Sequence, residues 1–357
     1  ADPGPPVAPT EIMVGEELPY AFFATPEGEG PFPVIIVLGG SEGGDMGSRG
    51  SATRFIEQGY AVLGLPYYSP GYLAPARRLP DLPEAFDSIP LENLAIARDW
   101  LRQRDDVMPN AIGLYGVSKG AEFVLAGASR IDGFAAVVAI VPSDVIWEGW
   151  GPQAKPGEVS SFSWAGEPLP FVPYLGMEEE FAKYAIPGAV VRLRTPQDAG
   201  RRANPDRVPA ARIRVEDIDE PVLVAGGDAD NTWNSGGMAQ NIAERRAEAG
   251  GRRPAETRKP RGTDRAKRDD GPDGREGPHM AQDGGAESGH AEEAEMRGAY
   301  RVAEGLRAGP AACRKEQRDQ PSGQRLHVVG QRSALGRAQP AKREDGADQP
   351  SQRQHLD

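Results

Sequence analysis

The feature that most limits what this chain can become is a series of short, unbroken apolar runs, most closed by glycine and each leading into a helix-like or loop stretch. These runs are "PVIIVLGG" (33–40), "YAVLGL" (60–65), "AIGLYG" (111–116), "GFAAVVAIVPS" (133–143) and "EPVLVAGGDAD" (220–230). Continuous apolar runs of this length read as strands buried on both faces. Strands separated by helices require right-handed crossovers, so the expected fold class is α/β, with a mostly parallel sheet flanked by helices. The helices are "SATRFIEQ", capped by Gly59, then "PLENLAIARDWLRQRDD" and "SGGMAQNIAERRAEAGG". Upstream, "LPYAFFATP" alternates as an edge strand or hairpin does.

The pattern stops near residue 250. From 251 to 357 there is no Phe, Trp or Ile, and Val, Leu and Met together number nine. Burial cannot offset the ordering entropy of such a segment, so disorder is expected. The expected organisation is an N-terminal extension (1–19), an α/β domain (20–250) with an aromatic-rich, lid-like insertion over about 143–215, and a low-complexity tail (251–357). For the insertion, a lid over the carboxyl ends of the strands and a satellite core under a long loop are equally good readings.

Charge divides at the same boundary. The tail holds 21 Lys/Arg against 18 Asp/Glu, leaving 20 against 35 in residues 1–250, so the globular part is strongly acidic. That balance disfavours nucleic acid as a partner. The lone cysteine, Cys313, forms no intrachain disulfide and no thiolate zinc site, and nothing in the sequence calls for a metal or a cofactor. No apolar run reaches 18 residues, so no membrane span is expected. The chain begins with Ala, which fits a processed export signal or a piece of a longer protein; compartment and oligomeric state stay open.

The chemistry gathers around Gly116-Val117-Ser118-Lys119-Gly120. A serine on a sharp turn between strand and helix is a nucleophile elbow, and the helix N-terminus lies under the negative charge that develops on attack. Acyl transfer also needs two backbone N–H groups aimed at the oxyanion. Lys119 is expected to supply one, and Gly40 or Ser41 in the glycine-rich loop "VLGGSEGG" the other. The Lys119 side chain is expected to be a surface charge beside the elbow. The acid should follow a later strand, which offers Asp230, or alternatively Asp228; either residue could instead cap a turn. All four histidines, His279, His290, His327 and His355, lie in the tail, and residues 1–278 contain none. His279 is the weak candidate among them, since no apolar strand in "GREGPHM" positions it.

Six pieces occur in order across about residues 20–248: "GPFPVIIVLGGSEGG", "QGYAVLGLPYYSP", "IPLENLAIARDWL", "IGLYGVSKGAEFVLAGAS", "VVAIVPSDVIWEGW" and "EPVLVAGGDADNTWNS". In these the chain resembles the C-terminal catalytic domain of the acyl-CoA thioester hydrolase and bile-acid-CoA:amino-acid N-acyltransferase family. The resemblance implies an α/β-hydrolase fold and a Ser-Asp-His triad acting on acyl-CoA thioesters. It also favours Asp230 as the acid. The family's thioesterases carry serine where its acyltransferases carry cysteine, so Ser118 implies hydrolysis.

Two departures stand out. Relatives often place a β-sandwich before this domain, whereas about twenty residues precede the match here. The family's histidine lies roughly thirty residues after the acid, and this chain has "RKPRGTDRAKR" there. The tail resembles a GC-rich gene read out of frame, giving the hypothesis of a frameshift near codon 250, which resequencing tests. The expected function is serine hydrolysis of acyl-CoA thioesters. The alternatives are a carboxylesterase or dienelactone-hydrolase-like enzyme on another acyl ester, and a catalytically dead domain.

Overall fold

The computed structural model describes residues 10–250 and the backbone of 326–330. In chain order the strands and helices are β1 (Thr10–Met13), β2 (Phe22–Thr25), β3 (Phe32–Leu38), α1 (Met46–Glu57), β4 (Ala61–Gly64), β5 (Ile89–Pro90), α2 (Asn93–Arg102), β6 (Val107–Val117), α3 (Lys119–Ala128), β7 (Ala136–Ile140), β8 (Phe162–Trp164), β9 (Glu167–Pro168), α4 (Met177–Ala182), α5 (Arg194–Ala203), α6 (Val208–Ala211), β10 (Val222–Gly227), α7 (Ser235–Gly250) and β11 (Leu326–Gly330). Every apolar run expected to be a buried strand is one. The expected first helix starts five residues early, at Met46, because a Gly- and Ser-rich turn hides its apolar stripe. It ends where Gly59 takes a left-handed φ of 85°.

The main sheet has the order β1-β2-β4-β3-β6-β7-β10-β11. Its centre, from β4 through β3, β6 and β7 to β10, is parallel. At one end β1 and β2 run antiparallel, so the sheet begins within the stretch expected to precede the domain. At the other end β11 pairs antiparallel with β10. The composition did not announce β11; the rest of the expected tail lies outside the described residues. A mostly parallel sheet with helices on both faces is the α/β-hydrolase architecture implied by the sequence resemblance.

Alternate residues of each strand serve two cores. Val34, Ile36 and Leu38 of β3, Ile112 and Leu114 of β6, and Val222 and Val224 of β10 pack with α2, α3 and α7. Val37, Tyr115, Ile140 and Ala225 point the other way and pack with α1 through Ala52, Phe55 and Ile56. The insertion carries β8 and β9, which join β5 in a small second sheet. Of its aromatics, Phe162 and Phe171 are buried in the main core, with Trp150 and Trp164 packed against it. Trp147 stacks on Tyr174 in a satellite cluster with Trp233 and Met238. Buried Asp144 ties the insertion together and to α7, with Arg201 of α5 reaching its two oxygens at 2.6 and 2.8 Å and Asn241 of α7 at 2.9 Å.

Candidate active site

The carboxyl ends of β3, β6, β7 and β10 align, with Leu38 opposite Gly116, Val117 opposite Ile140, and the Val141 N–H donating to the Ala225 carbonyl. Such an edge is where ligands bind in open α/β sheets. Ser118 leaves β6 there with φ 54° and ψ −118°, a conformation few non-glycine residues adopt, and α3 begins at the next residue. Its N–H donates to the Ile140 carbonyl, and its carbonyl accepts from the Glu122 N–H. The flanking glycines are dictated by space. A Cβ on Gly116 would fall on the backbone of Gly120, and one on Gly120 would fall on the Gly39 and Leu38 carbonyls. Strand β3, the elbow and α3 can therefore approach this closely only without side chains at both positions.

Val141, at the end of β7, holds φ 43°, which is strained for a β-branched residue. Nothing in the sequence signals it. Two strained residues on neighbouring strand ends fit the concentration of strain at functional sites.

The glycine-rich loop after β3 lies against the elbow, a Cβ on Gly40 being 3.0 Å from the Ser118 Cβ. Of the two loop amides expected to face an oxyanion, that of Gly40 donates to Glu42 Oε1 at 2.9 Å. The Ser41 carbonyl accepts from the Tyr72 hydroxyl at 2.7 Å. Buried Tyr67 donates its hydroxyl to the Gly39 carbonyl at 2.9 Å, and burial raises its pKa well above the ordinary phenol range.

Asp230 stands beyond β10, two strand spacings from the elbow, about 10 Å along the edge. It is 5% exposed, and its carboxylate is fully oriented. Oδ1 accepts from the Thr232 and Trp233 amides at 2.8 and 3.2 Å, and Oδ2 from the Ser235 hydroxyl at 2.5 Å. The turn-capping role considered from sequence is thus real, and with two donors on Oδ1 and one on Oδ2 it is Oδ2 that retains capacity for a further donor. Asp228 is exposed. His279 lies outside the described residues, as do His290 and His355. His327 falls in β11, its backbone opposite Gly226.

The Lys119 side chain corrects the sequence reading. It is not a surface charge: it is buried, with Nζ 2.8 Å from Glu122 Oε2 and 2.8 Å from Ser161 Oγ. It lies 5.2 and 5.0 Å from the ring centres of Phe86 and Phe162. Glu122 is fully buried and accepts the Trp147 N–H through Oε1 at 3.0 Å. Burial pulls the Lys119 pKa down and pushes that of Glu122 up, each opposed by the partner's charge. The pair fastens the first turn of α3 to the insertion. A signal was present, since α3 is apolar on every side after Glu122, and such a helix has no solvent face.

Among the described residues no group of three or more His, Cys, Asp or Glu side chains could hold a metal ion, and no helix is long and apolar enough to cross a membrane.

Residues 89–257 match the family described as BAAT / Acyl-CoA thioester hydrolase C terminal. The chain is 31% identical over 223 residues to acyl-coenzyme A thioesterase 2, mitochondrial, of Mus musculus, covering 62% of this chain and 42% of that protein. It is 31% identical over 237 residues to acyl-coenzyme A thioesterase 5 of Mus musculus, covering 66% of this chain and 49% of the relative. The chain thus spans less than half the length of these relatives. Among solved structures, the Pyrococcus horikoshii acylaminoacyl peptidase overlays with a TM-score of 0.37 at 13% identity, covering 64% of this chain and 33% of that one. The family resemblance read from the sequence is borne out.

Proposed function

Because residues 89–257 match the BAAT / acyl-CoA thioester hydrolase C-terminal family, we propose that this chain is a serine hydrolase of acyl-CoA thioesters. Ser118 Oγ attacks the thioester carbonyl while a base takes its proton. The backbone amides of Lys119 and of the loop after β3 hold the oxyanion that forms. The carbon–sulfur bond then breaks, the thiol leaves with the proton, and water hydrolyses the acyl-enzyme to the free acid. Asp230 orients the base, as the acid of a triad does. The observation that carries this reading is Ser118 itself, strained at the head of α3 with glycine at both positions where a side chain would force the elements apart.

The base is the part that residues 1–278 do not supply as histidine. That supports a second reading, a domain that binds acyl ligands without turning them over. A fluorophosphonate probe separates the two. The hydrolase reading expects labelling of the full chain and none of Ser118→Ala, with faster release from acyl-CoA than from small oxygen esters. Equal preference for oxygen esters would shift the substrate class, and an unlabelled wild-type serine would leave the binding reading standing.

A further inference from the structure

Three glycines around the loop after β3 share one neighbour, the Glu42 carboxylate. A Cβ on Gly39 or on Gly47 would collide with Glu42 Oε1, and a Cβ on Gly40 would lie 2.8 Å from Oε2. The partly buried carboxylate thus occupies a niche that exists because Gly39, Gly40 and Gly47 lack side chains. Within it, Oε1 accepts the Gly40 N–H at 2.9 Å. The loop closes further through the Gly43 N–H on the Gly40 carbonyl, at 3.4 Å, and the Tyr67 hydroxyl on the Gly39 carbonyl, at 2.9 Å. A Cβ on Gly40 would also lie 3.0 Å from the nucleophile's Cβ.

We infer that Glu42 is a positioning residue for the oxyanion loop: by engaging the Gly40 N–H it fixes the turn so that the Ser41 N–H, paired with that of Lys119, faces the oxyanion. This rests on the serine-hydrolase reading and adds to it. The physical reason is that a loop amide serves as a preorganised donor only if its peptide plane is fixed before reaction. Glycine pairs on either side of Ser41-Glu42 leave the loop backbone free to rotate unless a side chain holds it. Glu42 is the side chain placed to do so, and it uses the one amide of the two candidates that is then not needed.

The test uses the full chain as wild type, Glu42→Gln and Glu42→Ala, with melting curves recorded for each. The readout is the second-order rate of fluorophosphonate labelling at Ser118, whose phosphoryl oxygen uses the same donors as an acyl oxyanion. Glu42→Gln retains an oxygen that accepts the Gly40 N–H and should label within about threefold of wild type. Glu42→Ala should label roughly 100-fold more slowly, the scale of losing one oxyanion donor, with a melting temperature close to wild type. Labelling of Glu42→Ala at or above the wild-type rate overturns the inference, since the carboxylate would then be idle or obstructive. If wild-type Ser118 does not label, the hydrolase reading fails, and amide hydrogen exchange over residues 38–45 decides the loop. Protection kept in Glu42→Gln and lost in Glu42→Ala upholds Glu42 as its anchor; equal protection in all three overturns it.

Discussion

Replacing Lys119 by Met keeps the length of the buried stem and removes its charge, leaving the Glu122 carboxylate with the Trp147 N–H as its hydrogen-bond donor in the described contacts. Breaking a buried ion pair from one side costs about 3–5 kcal/mol. The structure lowers the upper end of that range, because Glu122 can escape by taking up a proton. Neutralising a carboxyl of ordinary pKa at pH 7 costs about 3.7 kcal/mol, at about 1.36 kcal/mol per unit. The penalty should therefore be about 3–4 kcal/mol at pH 7 and shrink by roughly 1.4 kcal/mol for each unit the pH is lowered toward 5. The sign follows from burial: in the variant the folded state holds the Glu122 proton more tightly than the unfolded chain. Stability is then greatest below the unfolded value and falls as pH rises through the folded one. The double variant Lys119→Met/Glu122→Leu removes both charges but leaves the Trp147 N–H unsatisfied, so about 1–3 kcal/mol of loss should remain. Urea unfolding followed by tryptophan fluorescence at pH 5, 6 and 7 measures all three proteins. A Lys119→Met penalty under about 1 kcal/mol at pH 7, or one that does not change with pH, would refute the reasoning.

Other substitutions probe the elbow and the rim of the sheet. Gly120→Ala gains up to about 1 kcal/mol of helix propensity but drives a methyl into the Gly39 and Leu38 carbonyls, so denaturant titration should show a net loss of roughly 1–3 kcal/mol. Ser118→Gly relieves the positive φ and should raise stability by about 1–2 kcal/mol while abolishing fluorophosphonate labelling, and unchanged stability would argue against strain at the elbow. Burial raises the Glu220 carboxyl pKa, so this group favours folding below its unfolded value and loses that effect as pH rises through the folded one. Glu220→Gln should accordingly raise the melting temperature at pH 8 relative to wild type and do so less at pH 4.

The central strands were legible because each is a run of apolar residues that only a doubly covered sheet accommodates, and the elbow because its glycines bracket a serine between strand and helix. The fate of Lys119 was less accessible. Its partner Glu122 sits one turn along the same helix and is visible in "SKGAE", but burial of the pair depends on Phe86, Ser161 and Phe162, which are distant in the chain. Glu42 escaped notice for a related reason. In "GGSEGG" it reads as a solvated loop acid, and its niche appears only when Gly47 from α1 comes up beside Gly39. Asp230 was singled out by its place after β10 and by the family resemblance, whereas the Ser235 hydroxyl that orients its carboxylate belongs to the first turn of α7. Strand β11 lies in a segment whose composition gave no reason to expect one.

The two faces of the sheet are unequally clothed among the described residues, three helices packing on one and α1 on the other. Along the second face Ile35, Val117, Val138 and Val141 are only partly buried, forming an apolar band that continues to the elbow. Among the described residues this band is open enough for an environment-sensitive apolar dye to bind without unfolding. Dye fluorescence, usually taken to mark loosened packing, would here carry a native baseline. Its rise on heating would report unfolding only after that baseline was subtracted.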